Sequence, residues 1–280
     1  MSIDAAVLSF LFNGLWAGLL LALDKRARQS PFLLAFALAL GMTAAVAVIM
    51  AKTWFDPGLI RPAWVPVWLW RAFIEAGLLE EGVKAALLWI TLWAKKPKDP
   101  MKVFLIAVFV GIGFALTENM TYILRGAYES IAHDPETYYR TIISVAVIRS
   151  IPTHATFTGL VGFATSLVYF WRRTRRHYYL PVLALFAAAF LHGGWNALPS
   201  GFFLEKYFAI MTLLVAMSWA SMALSQRLKP SFIAAWDRGW IRLVPLEDLQ
   251  PRASAKLETL LAGLAAFVYS LFVVNLLVIR

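Results

Sequence analysis

Glu80, Glu81, Glu118, His154 and His192 are ionisable residues embedded in long apolar stretches. A charge in apolar surroundings is costly, and where one is kept it tends to mark function. Glu80 and Glu81 are adjacent carboxylates, and packing alone gives no reason for two acids side by side. Such a pair suits shared-proton acid/base chemistry or cation binding. Lys84 lies four residues after Glu80, shares its helix face and can pair with it, so it is expected to neutralise a carboxylate rather than react. Glu75 is expected to pair with Arg71 near the helix end. The run Phe114-Ala-Leu-Thr-Glu118-Asn119 adds a third acid and an amide, with Gly111 and Gly113 ahead of it to let a neighbouring helix come close. His154 follows Pro152, expected to kink its helix beside the imidazole, and Arg149 stands near as a counter-ion. In His192-Gly-Gly-Trp195-Asn196 the His and the Asn are four apart and point the same way. Together they could bind a metal or stabilise an oxyanion. A lone buried His is more often a packing residue, so the weight rests on the set. His133 and His177 fall in connections and read as solvated.

The elements that must position these residues are apolar runs long enough to cross a bilayer. Spans are expected at about 3–23, 31–51, 68–94, 102–124, 141–170, 179–198, 203–224 and 257–279. Lys and Arg alternate between the connections. The odd ones are rich, with Lys95, Lys96 and Lys98 in the third and Arg172, Arg173, Arg175 and Arg176 in the fifth; the sixth holds only Lys206. The positive-inside rule then places odd connections in the cytoplasm and both termini outside. The expectation is an all-α polytopic membrane bundle of about eight helices forming one domain over 1–280. Its polar core spans about 68–200, and a cytoplasmic interfacial segment spans about 225–256. Within that segment Ser231–Leu246 mixes aromatic and charged residues as an amphipathic surface helix does.

Composition agrees. The 280 residues are 61% hydrophobic and only 15% charged, with mean hydropathy +0.69, against roughly a quarter charged in soluble domains. The net charge of +10 sits mostly in short loops. It therefore reads as membrane orientation, not as a nucleic-acid surface. No cysteine is present, which excludes thiol catalysis, disulfides and Cys-based metal sites. The stretch 1–23 lacks a basic n-region and a cleavage site and reads as a retained first helix.

The ordered set Glu80-Glu81-x-x-Lys84, Phe114-x-x-x-Glu118-Asn119, His154 and His192-x-x-x-Asn196 resembles the PrsW family of intramembrane proteases. That family is related to the CAAX prenyl endopeptidases and to a subunit of gamma-secretase. The resemblance covers about residues 70–200. It implies that Glu80 and Glu81 are the paired glutamates, Lys84 their basic partner, and Glu118 the residue standing where the CAAX enzymes carry a His. It further implies that His154, His192 and Asn196 are the remaining site residues, in a multi-pass protein of the cell membrane. The implied activity is cleavage of a peptide bond in a membrane-anchored protein, an anti-sigma factor in the best-known members.

Peptide hydrolysis needs an activated water, an oxyanion stabiliser and a proton donor for the leaving amine. In a metal-free route, which the sequence reading places first, Glu80 or Glu81 is the base. His192 and Asn196 face the oxyanion, and His154 and Glu118 position water or shuttle protons. In a zinc route, His154, His192 and Glu118 or Glu81 hold the ion and the remaining Glu is the base. A proton- or ion-coupled carrier uses similar buried groups, although no inverted repeat is visible. A non-catalytic membrane scaffold is the third alternative.

Overall fold

The computed structural model describes residues 31–95, 97, 99–130, 151–170, 179–198 and 203–236, with positions 7, 11, 13–16 and 18 near the N-terminus. Arg149, residues 141–150, the last expected span and the interfacial segment beyond Trp236 lie outside the described residues.

Six long helices occupy the places of the second to seventh expected spans, and no strand occurs among the described residues. They are α1 (Pro31–Trp54), α2, α3 (Pro100–Ser130), α4 (Thr153–Phe170), α5 (Leu180–Ala197) and α6 (Phe203–Trp236). α2 runs without a break through Val67–Leu69, a π-helical stretch Trp70–Leu78, and α-helix Leu79–Lys95. Among the described residues, four segments are long and apolar enough to cross a membrane: Pro31–Trp54, Pro100–Ile123, Leu180–Ala197 and Glu205–Ser225. α2 and α4 are not among them, because they carry the polar residues that this fold gathers inside.

α3 is the central helix. Over Val103–Ala115 it is apolar on every face, and Met101 and Val103–Ala115 are buried, as expected for a helix surrounded by others. α1 and α4 pack on it, while α5 packs on α4 and on the π stretch of α2. Small residues set these distances. Ala37, Gly41, Ala44, Ala45 and Val48 form the buried stripe of α1. A Cβ on Gly113 would run into the backbone of Leu38, so α1 and α3 meet almost backbone to backbone.

Two expectations change here. α4 starts at Thr153, and the Pro152 carbonyl accepts the first helical N–H, from Thr156 at 2.9 Å. Pro152 thus stands at the head of the helix rather than kinking it mid-span, a place where its missing N–H costs little. The seventh span, expected to end near 224, continues as helix to Trp236.

Candidate active site

Four helices bring the polar residues together. α2 supplies Glu80, Glu81 and Lys84; α3 supplies Glu118 and Asn119; α4 supplies His154 and Thr158; α5 supplies His192 and Asn196. The crossing of α3 and α4 falls at the site, because a Cβ on Gly111 would meet the His154 backbone. Only a glycine lets α4 come this close.

Glu81 is sealed inside. Its Oε1 accepts from Lys84 Nζ at 2.5 Å and lies 2.9 Å from His192 Nδ1. Its Oε2 accepts from Thr158 Oγ1 at 3.4 Å. Lys84 is fully buried, reaches His154 Nδ1 at 3.1 Å and lies 4.3 Å from the centre of the Phe114 ring. An ammonium only donates, so His154 Nδ1 accepts and Nε2 carries the proton, facing Glu118 Oε2 at 2.8 Å. The imidazoles of His154 and His192 meet edge to face at 4.9 Å, and Phe157 stacks on His192 at 5.3 Å. These rings fix both planes.

Glu80 is held differently. Its Oε1 accepts from Lys52 Nζ of α1 at 2.8 Å. Its Oε2 is buried with no hydrogen-bond partner and lies 3.8 Å from His192 Nε2. The pairing expected from spacing is therefore exchanged. Lys84 pairs with Glu81, three residues away, while Glu80 turns toward α1. Arg71 and Glu75 form no ion pair with each other, and both line an open cavity of about 770 Å³. Glu80, Glu118, Asn119, His154, His192 and Asn196 also face this cavity. Glu81 does not line it.

The π stretch explains part of the layout. The Leu79 N–H reaches back to Ile74 O, five residues away. In a regular α-helix, residues five apart point about 140° from each other. In π register they stack, and Glu75 and Glu80 both face the cavity. Local π turns occur often at functional sites.

One oxygen of Glu80 and one nitrogen each of His154 and His192 lie within 4.8 Å of one another. A family model described as PrsW family intramembrane metalloprotease matches residues 29–222. The chain belongs to the PrsW family. It is 32% identical over 149 residues to Protease PrsW of Clostridioides difficile (strain 630), covering 52% of this chain and 58% of that one. It is 29% identical over 156 residues to Protease PrsW of Geobacillus kaustophilus (strain HTA426), covering 54% and 61%. The chain thus spans about three fifths of the length of these curated relatives. No solved structure matches it.

Within this PrsW core, the residues singled out from sequence and present among the described residues converge on one site. Lys52 and Thr158 were not singled out. Lys52 looked like a basic residue closing a connection. Its signal was positional: it continues the α1 stripe one turn beyond Val48.

Proposed function

We propose that this protein is an intramembrane endopeptidase of the cell membrane that hydrolyses a peptide bond of a membrane-anchored protein of the anti-sigma-factor kind. The observation that carries the reading is the orphaned Oε2 of Glu80, facing His192 Nε2 with His154 beside it at the wall of an open cavity.

One carboxylate oxygen and two imidazole nitrogens suit zinc with a fourth position open. Glu80, His154 and His192 would hold the ion; bound there, it polarises the scissile carbonyl and lowers the pKa of water. The ligand set read from the sequence included Glu81. Both Glu81 oxygens are occupied, and its proposed task is to accept the Nδ1 proton of His192 and so fix the tautomer that presents Nε2. Lys84 pairs with Glu81 and ties it to His154. His154 would ligate through Nε2 in its other neutral tautomer, with the proton on Nδ1 and Lys84 left to Glu81, so that no proton passes to Glu118. Glu118 is the one of these acids with an appreciably exposed side chain, at 17% against 3% for Glu80 and 0% for Glu81. It is therefore the proposed base, taking the proton of the attacking water and returning it to the leaving amine. Asn119 and Asn196, on the same cavity wall, are proposed to position substrate.

A metal-free route remains as a second reading, favoured by the two cations that pair with the two acids, Lys52 with Glu80 and Lys84 with Glu81. In it Glu80 is the base. The deciding assay is cleavage of a membrane-anchored peptide by purified protein before and after a tight chelator, followed by zinc add-back. Loss and restoration are expected. Full activity in the metal-free enzyme removes the zinc role and leaves Glu80 as base. Unchanged cleavage in Glu80→Gln, Glu118→Gln and His192→Ala together ends the assignment of the site. Solute flux across vesicles without cleavage would favour a carrier.

A further inference from the structure

Hydrolysis builds negative charge on the carbonyl oxygen, and the site must meet it with a donor. The sequence offered His192 and Asn196. In the structure His192 Nδ1 is spent on Glu81, and with the ring proton there Nε2 has none to donate. Asn196, a neutral amide, sits at the exposed part of the cavity. A cation does reach the same wall from another helix. Lys52 closes the buried stripe of α1, lines the cavity and holds Glu80 Oε1 at 2.8 Å. An ammonium has three N–H donors, and this bond uses one. The side chain is 33% exposed, whereas that of Lys84 is fully buried and spent on Glu81 and His154.

We propose that Lys52 is a catalytic residue that donates to the oxyanion of the tetrahedral intermediate formed beside Glu80. The inference rests on the hydrolytic reading above but not on the choice between metal and no metal. As water oxygen bonds to the carbonyl carbon, the carbonyl π pair moves onto oxygen. That oxygen sits against the remaining N–H donors of Lys52. The water proton goes to the base, then to the leaving nitrogen as the C–N bond breaks, and the oxyanion charge collapses back to C=O. The bond to Glu80 anchors the ammonium beforehand, so little reorganisation is required during the reaction.

The test compares Lys52→Met and Lys52→Arg with the unaltered protein in bilayers. It measures kcat and KM on a membrane-anchored peptide, affinity for a phosphonate analogue of the scissile bond, and zinc content by atomic emission. Lys52→Met is expected to lower kcat about 10²–10³-fold, the usual cost of one oxyanion donor, with KM and zinc content unchanged. Phosphonate affinity should fall in step with kcat/KM, since the analogue mimics the transition state. Lys52→Arg, which keeps the charge, should recover most of the rate. Equal loss of substrate and phosphonate affinity, or loss of zinc, would overturn the proposal by making Lys52 a support for Glu80. Unchanged kcat would overturn it while leaving the protease reading intact; absence of cleavage by the unaltered protein would end both. If Lys52→Met does not fold, Lys52→Gln, which keeps a hydrogen bond to Glu80 but loses the charge, decides by the same measurements.

Discussion

The two neighbouring glutamates approach one imidazole, that of His192, from different surroundings. Glu81 belongs to a dry wall made with Lys84, Thr158 and His192, where every oxygen is matched. Glu80 belongs to the wet wall, tied by one oxygen to a partly exposed lysine and offering the other to the cavity. Adjacent helical residues point about 100° apart, so a single step along the chain separates scaffold from chemistry. The dry wall does the holding, which lets the wet wall keep an unsatisfied oxygen where hydrocarbon would otherwise exclude it.

The comparison breaks most visibly in activity. Glu80→Gln should lower kcat by about 10²–10⁴-fold, whether Glu80 is ligand or base, with thermal stability in detergent little changed. Glu81→Gln should lose both. It strips a fully buried Lys84 of its counter-charge, and breaking a buried pair costs about 3–5 kcal/mol. If thermal melts show the two variants equally stable, the division into dry and wet walls is wrong. Lys84→Met should destabilise comparably, and the double change Glu81→Gln/Lys84→Met should cost less than the sum, since neither charge is then left alone.

A smaller effect sharpens the geometry. Gly111→Ala places a Cβ against the His154 backbone and must push α4 away from α3. Misplacement by about 1 Å can cost 10²-fold in rate. The activity loss should therefore exceed what the accompanying fall in melting temperature explains. If rate and stability change together in proportion, Gly111 serves packing alone.

The sequence carried the wet wall well. Glu80, Glu118, His154 and His192 stood out because polar groups in apolar runs are conspicuous one by one, and Gly111 and Gly113 announced a close approach that both then make. Partners were less legible. Spacing pointed Lys84 to Glu80, four residues away, and it pairs with Glu81 instead. The choice fell to α1, which brings Lys52 to Glu80 from 28 residues away, a contact no local pattern encodes. The π stretch, which packs on α5, leaves no visible mark in the propensities of Trp70–Leu78. Pro152 was seen but read as a kink, since a proline signals equally a kink and a helix start; α4 begins at Thr153, directly after it.

The weakest link of the dry wall gives the smallest prediction. Thr158 Oγ1 approaches Glu81 Oε2 at 3.4 Å, near the limit of a hydrogen bond, yet its residue is fully buried one turn after His154 on α4. Thr158→Val keeps the shape and removes the donor, leaving that carboxylate oxygen unmatched. The cost of losing such a bond is about 1–3 kcal/mol when the acceptor is buried and charged, with the lower end expected for this length. Stability should fall by that amount, while kcat falls only several-fold, because Lys84 and His192 still hold the other oxygen. A collapse of activity as large as that of Glu80→Gln, at unchanged stability, would mean Thr158 reaches the reacting atoms. The line between holding and reacting would then run through Glu81 itself rather than between the two glutamates.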